Sequence, residues 1–267
     1  MFEQIVLGTI QGITEWTPLG SRACVLAAKV HLFSSTESLN ALVRYTLFLH
    51  LGTGLAALIY FRRDLGCLFR TICSPQNAEP PERNLLVFLT VTTLLTGAGQ
   101  WLIGLSPVLA YSAPQAKAAV NSLIAALLLA AGWRRKRSAD EAVSVAGQPS
   151  AVNGLLLGLT QALSYLPGLS RTGLTVAALS ARNFNAEAAL RLSFLMDLPF
   201  VLNNSLLRNH RALLSPGSHW LGMLSAFIIG LVALAGLMRL ARRISPGAFL
   251  LAFGALLALG VVTALLD

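Results

Sequence analysis

Charged side chains are scarce in this chain. Asp, Glu, Lys and Arg make up 12% of its 267 residues and apolar residues 55%, whereas a soluble domain carries about 25% charged residues. A chain of this size with so few charges cannot cover its own surface in water. With a mean hydropathy of +0.68, this excludes a disordered chain and argues against a soluble enzyme. Alternation is missing too. The apolar stretches are continuous, which argues against a β-barrel. Cysteine is rare: Cys24, Cys67 and Cys73 form no CxxC pair, and an odd number supplies no disulfide framework. Acidic residues number 11 against 20 Lys and Arg, for a net charge of +9. In a soluble chain that excess would suggest nucleic acid. Here it sits between apolar segments, as in cytoplasmic loops, and no nucleic-acid partner is expected. Glu3 stands where a secretory signal would be basic, so no cleaved signal peptide is expected.

What is present is apolar length. A helix needs about 20 mainly apolar residues to cross the ~30 Å hydrocarbon core. Six segments qualify, roughly 41–61, 85–105, 116–133, 187–207, 219–238 and 247–266, most of them bounded by Pro or by charge clusters. Residues 138–150 read as a polar surface linker. Residues 1–33 and 151–182 are apolar but broken midway, by WTPLGSRA and YLPGLSRTG. Each half is too short to cross, and broken helices at membrane depth occur where they are buried in protein or line a wet cavity. Both stretches therefore read as re-entrant helical hairpins.

The hairpins resemble each other. LGTIQGITEWTPLGSRACVLAA begins at Leu7 and LGLTQALSYLPGLSRTGLTVAA at Leu157. Gln11 pairs with Gln161, and Pro18, Ser21 and Arg22 pair with Pro167, Ser170 and Arg171, which is an internal repeat. Placing the end of segment 41–61 inside puts twelve basic residues, from Arg62 and Arg63 to Arg242 and Arg243, on the inner side. Four (Lys29, Lys117, Arg208 and Arg211) fall outside. The first hairpin then enters from outside and the second from inside. The expected fold is an all-α integral membrane protein, six spanning helices plus two re-entrant helical hairpins in an inverted repeat. It forms a single membrane domain over 1–267, with repeat one at about 1–133 and repeat two at about 151–267.

Ionisable groups at membrane depth are costly and usually functional. Here they are Glu15, Arg22, Arg44, Arg171, Arg191 and Asp197. An arginine fork binds phosphate oxygens bidentately. Two Ser-Arg pairs from opposed hairpins would make a phosphate pocket with Glu15 nearby. A carboxylate there would repel phosphate unless it held a metal ion or a proton, and divalent-metal coordination is the simpler expectation. His31 reads as a residue near the interface, and His210 and His219 read as solvated loop residues.

WTPLGSRA following QGITE, and then LPGLSRTGLT, resemble the two signature motifs of the bacterial undecaprenyl-diphosphatase family, the bacitracin-resistance phosphatases. The resemblance extends through LGTGLAALIYFRRDL and SFLMDLP, nearly the whole chain. It implies a multi-pass protein of the bacterial cytoplasmic (inner) membrane that removes the terminal phosphate of undecaprenyl (polyprenyl) diphosphate, recycling the carrier lipid of cell-wall synthesis. It also implies a divalent cation, Mg²⁺ or Ca²⁺; a homodimer is left open. Carried over by motif, Gln11 and Glu15 match the acidic motif, with Glu15 binding metal or positioning water. Ser21 matches a proposed nucleophile or phosphate ligand, and Arg22 follows it. Pro167, Gly168, Ser170, Arg171, Thr172 and Thr175 match the second motif, where Arg171 would clamp the diphosphate and Ser170 hydrogen-bond it.

The chain departs from the family at two positions of the first loop. Gly20 stands where the family has its first serine, and Cys24 where it has a histidine favoured as a catalytic group. Cys24 could act as a nucleophile only with a stabilised thiolate. His50, within a spanning segment, is the candidate to supply the missing acid–base group. The bland alternatives are an ion pair for Glu15, helix caps for Ser21 and Ser170, packing for Cys24 and a neutral bonded ring for His50. The missing histidine also leaves open a polyprenyl-phosphate transporter or flippase, or a non-hydrolytic member.

Overall fold

The computed structural model describes residues 1–105, 114–137, 147–166, 169–207 and 219–266. Pro167, Gly168, Lys117's side chain, His210, Arg208, Arg211 and most of the linker lie outside the described residues. Among the described residues the regular structure is helical, with no strand. The helices are α1 (Phe2–Thr14), α2 (Ser21–His31), α3 (Leu39–Tyr60), α4 (Arg62–Cys73), α5 (Pro80–Gly104), α6 (Pro114–Arg137), α7 (Ala151–Leu163), α8 (Arg171–Ala181), α9 (Ala186–Leu202), α10 (Trp220–Arg243) and α11 (Pro246–Leu266). Three of them contain spans long and apolar enough to cross a membrane: Ala41–Tyr60, Pro80–Gly104 and Trp220–Arg243. Large apolar side chains such as Leu94 and Val232 face outward, and Trp101, Trp133 and Trp220 are exposed near helix ends. That is the pattern of a lipid-facing surface with interfacial aromatics.

Both broken stretches fold as helix–break–helix, and their helices match in length: 13 and 11 residues in α1 and α2, 13 and 11 in α7 and α8. The breaks have local causes. Gly20 sits at φ +80° just before α2, a left-handed conformation that disfavours any residue with a Cβ. This is a physical reason for glycine where a serine was expected. Ser170 caps α8 by accepting the N–H of Gly173 at 3.2 Å.

The described residues divide into two compact units. The first comprises Met1–Phe61 and Asp197–Arg239. Here α1 lies against α10 with almost no side chain between them. A Cβ on Gly8 would come within 2.2 Å of the Gly222 carbonyl oxygen, and one on Gly12 within 2.7 Å of the Gly230 nitrogen. Small residues let helix backbones approach this closely. Trp16, just after Glu15, donates its indole N–H to the Gly230 carbonyl at 2.8 Å and anchors the break. Leu7, Val25, Tyr45 and Leu49 form the core beneath.

At the base of this hairpin Lys29 is only 4% exposed. It is held by Glu37 at 2.9 Å and Glu3 at 3.6 Å, with its ammonium 4.6 Å from the Tyr45 ring centroid. His219 meets the same ring edge-on and bonds Gln4 at 3.1 Å, so it is not the solvated loop residue expected from the sequence. Burial first, and nearby Lys29 second, hold its imidazole below the usual histidine pKa.

The second unit comprises Arg62–Met196 and Leu240–Asp267. Here α7 lies against α5 in the same manner. Thr92 and Thr96 of α5 donate to the Gly154 and Gly158 carbonyls, each at 3.2 Å. Each hairpin's first helix thus packs on a helix from the other half of the sequence. Helix α6 packs on α11 through Gly132 and Gly254. Phe88, Leu157, Leu179, Phe184 and Met196 fill the core. Helix α4, too short for a span, was not expected. Thr71 faces inward, while Arg62, Arg63, Arg70, Phe69 and Ile72 are exposed, a mixture suited to a membrane interface. Arg191 pairs with Asp64 on this helix, and Glu82 accepts from Cys67 at 3.0 Å.

Candidate active site

Helix α1 places Gln11 and Glu15 one turn apart on a buried face. Gln11 Nε2 donates to Glu15 Oε2 at 2.7 Å. The break then folds back so that Ser21, first residue of α2, donates its hydroxyl to the same Oε2 at 2.7 Å. From α3, His50 brings Nε2 to 3.3 Å of that oxygen. Three of the residues singled out in the sequence, Gln11, Ser21 and His50, thus converge on the carboxylate of a fourth, Glu15, and all four are less than 10% exposed.

The His50 ring is fixed from its other side. Nδ1 lies 2.6 Å from the Thr46 carbonyl oxygen. A carbonyl only accepts, so Nδ1 carries a proton. Nε2 facing an ionised carboxylate without a proton between them would set lone pair against lone pair. A proton shared between Glu15 and His50 would remove that clash. The cluster is a hydroxyl, a carboxylate and an oriented imidazole in sequence, the arrangement that activates a nucleophile and stores its proton.

The remaining candidates divide. Cys24 is half-buried, and its Sγ approaches the Leu19 carbonyl at 3.9 Å. Arg22 is exposed. In the second unit Ser170 and Thr172 are buried and Arg171 is half-buried. Thr175 is engaged locally, donating to the Arg171 carbonyl at 2.9 Å and meeting Ser193 Oγ at 2.6 Å. Asn121 of α6 was missed in the sequence. Its side-chain oxygen accepts the Ser170 N–H at 3.1 Å and so steadies the Ser170–Arg171 junction. The only signal was a lone amide inside the apolar run 116–133.

The two halves differ in chemistry. Gln161, the repeat mate of Gln11, spends its amide on packing: Nε2 donates to the Met196 carbonyl, and Oε1 accepts from Thr96, each at 3.3 Å. Tyr165 occupies the place of Glu15. Only the first hairpin carries an acid.

The profile of the bacitracin resistance protein BacA family matches residues 4–262. This chain belongs to the BacA family. Among its relatives, a protein of Methanococcoides burtonii named undecaprenyl-diphosphatase is 31% identical over 262 residues, 95% of this chain and 96% of the relative. One of Desulfosudis oleivorans with the same name is 33% identical over 263 residues, covering 90% and 89%. One of Haloarcula marismortui, again so named, is 29% identical over 270 residues, covering 98% and 96%.

A BacA-family chain raises the question of a metal. Among the described residues no group of three or more His, Cys, Asp or Glu is placed to hold one. Gln11 Oε1, however, is buried with no hydrogen-bond partner. With the Glu15 carboxylate beside it, it fits part of the oxygen shell of a hard cation, whose other ligands are ordinarily water and substrate phosphate.

Proposed function

We propose that this protein is a membrane phosphatase that hydrolyses undecaprenyl (polyprenyl) diphosphate to the monophosphate and inorganic phosphate. The observation that carries this reading is the chain of contacts Ser21–Glu15–His50 in a BacA-family chain. The name shared by its relatives supports the substrate.

Ser21 Oγ attacks the terminal phosphorus, and its proton passes to Glu15. The bond from phosphorus to the bridging oxygen breaks, and the lipid monophosphate leaves with the electron pair and the proton. Water then attacks the phosphoserine and gives its proton to Glu15. Ser21 recovers that proton as inorganic phosphate departs. His50, anchored on Thr46, balances the charge of Glu15 throughout. Arg171 is assigned, on the motif, to the charge that spreads over the transferring phosphoryl group. Gln11 Oε1 and Glu15 would hold a divalent cation, Mg²⁺ or Ca²⁺, which when bound neutralises phosphate charge.

We read α3, α5, α6, α9, α10 and α11 as six spans and the two helix–break–helix pairs as re-entrant. This makes a multi-pass protein of the bacterial cytoplasmic membrane whose first hairpin opens outside. Three apolar spans, the outward-facing tryptophans and the bias of basic residues support this reading. A transporter would bind a lipid phosphate without needing a hydroxyl aimed at a buried carboxylate.

The test is phosphate release by the purified protein from undecaprenyl diphosphate with Mg²⁺. Wild type should turn over, and Ser21→Ala should lose activity about 100-fold or more, as expected for loss of a nucleophile or its proton acceptor. Equal turnover by both would refute the serine's role, and none by wild type would refute the hydrolase.

A further inference from the structure

A polar cavity at the base of the second hairpin plays no part in the phosphatase chemistry. It lies where the start of α7 meets the end of α8 and has a volume of about 450 Å³, with Gln148, Ser150, Asn153, Arg182 and Asn183 in its lining. This is within the range of small-ligand sites, roughly 300–1,000 Å³. Among the described residues, no acidic side chain lines it. Arg182 Nε donates to Asn153 Oδ1 at 2.9 Å, which fixes the plane of the guanidinium. Asn153 is held in turn, its Nδ2 donating to the Gln148 carbonyl at 2.8 Å. Arg135 of α6 braces the wall and adds a second positive charge. Its Nη2 donates to the Ser180 carbonyl at 2.8 Å and to Asn183 Oδ1 at 3.3 Å.

Arg191 and Arg242 each have a carboxylate, Asp64 and Glu187. Among the described residues neither Arg135 nor Arg182 has one. The wall is also built to hold its shape. Asn183 stands at φ 64°, a left-handed conformation that asparagine tolerates, and its carbonyl accepts the Gly147 N–H at 3.0 Å. A Cβ on Gly147 would come within 2.4 Å of the Arg182 carbonyl oxygen, so the two strands of chain meet as closely as backbone allows.

The geometry points to a binding site for a phosphate group at this cavity, carried by an anionic phospholipid headgroup or free in solution. A guanidinium held in plane by one nitrogen presents the others as a fork suited to phosphate oxygens. Basic pockets at helix ends are where anionic headgroups bind membrane proteins. The inference does not rest on the phosphatase reading, because its readout is binding.

The test uses the full chain in detergent, with thermal unfolding followed as dioleoyl-phosphatidylglycerol, dioleoyl-phosphatidylcholine or inorganic phosphate is added. The variants are Arg182→Gln, Arg182→Lys, which keeps the charge but loses the fork, and Arg70→Gln, an exposed control on α4. Stabilisation by phosphatidylglycerol alone, weakened about tenfold in apparent affinity by Arg182→Gln and untouched by Arg70→Gln, supports a headgroup site; such a loss is the scale of one charge-assisted pair. Stabilisation by inorganic phosphate as well supports a site for the phosphate group alone. If Arg182→Gln does not fold, a weakened response in Arg182→Lys carries the same support. An equal response to phosphatidylcholine, no response to either anion, or an undiminished response in the folded Arg182 variants would overturn the inference.

Discussion

Glu15 Oε2 and His50 Nε2 stand 3.3 Å apart, and the far nitrogen of the same ring is tied to the Thr46 carbonyl at 2.6 Å. The ring is thus held in one orientation, with its second nitrogen aimed at the carboxylate to which Ser21 donates. His50→Gln removes the proton-holding ring while keeping a polar side chain. Turnover of undecaprenyl diphosphate should fall about 10- to 1,000-fold, the span of a lost acid–base partner. Glu15→Gln should cost at least as much. Unchanged turnover in His50→Gln would leave the ring a structural group.

Cys24 occupies the position where a histidine was expected, yet its sulfur lies by the Leu19 carbonyl. Cys24→Ala is therefore expected to keep turnover within about threefold of wild type, the scale of a packing change away from the reacting atoms. A loss as large as that of Ser21→Ala would make the thiol the attacking group. Labelling the native protein with a thiol reagent gives a companion measurement. Exposed Cys73 should react first. Glu82 accepts a hydrogen bond from Cys67 and pushes that thiol above its usual pKa, so Cys67 should react slowly at neutral pH.

The close contact of α1 with α10 makes Gly8 intolerant of a side chain. Gly8→Ala should destabilise the protein by about 1–3 kcal/mol, as overpacking of a tight contact does. Gly236→Ala, where a Cβ meets nothing within 4 Å, is the counterpart. It should be neutral or stabilising by up to ~1 kcal/mol, from helix propensity alone. Thermal unfolding of the two variants side by side reads the difference.

His219 gives the first unit a pH dependence. Its pKa is lowered in the fold, mainly by burial, so the unfolded chain binds its proton first as pH falls. The stability it contributes is present above the ordinary histidine pKa of about 6.5 and is lost as pH drops below it, toward the lowered native value. His219→Gln should flatten this part of the stability–pH curve. An unchanged slope would place the dependence elsewhere.

Much of this was legible in the sequence because it depends on local patterns. The six apolar segments all correspond to helices, and both Pro/Gly/Ser interruptions fall between paired short helices. Gln11 and Glu15 share a face by their spacing alone. Glycine at position 20 was legible only as a departure; its left-handed φ supplies the reason. What stayed hidden depends on tertiary contact. Lys29 counted only as a basic residue on the outer side, and its burial between Glu3 and Glu37 shows only in the fold. Arg191 pairs with Asp64 of α4, a partner far away in the sequence. Helix α4 is too short for a span, and its amphipathic pattern is outweighed by its charges. Asn121 could be matched to Ser170 only once α6 and the second break were side by side. Gln11 and Gln161 look equivalent in the repeat and differ only in what surrounds them.

The most direct measurement is capture of the phosphoryl group on the protein. The purified chain would be mixed with undecaprenyl diphosphate carrying a labelled terminal phosphate, quenched within a single turnover and digested for peptide mapping. The account predicts label on the peptide containing Ser21, none in Ser21→Ala, and slow formation of the labelled peptide in Glu15→Gln. Rapid release of labelled phosphate by Ser21→Ala, with no protein-bound label at any time in wild type, would contradict it.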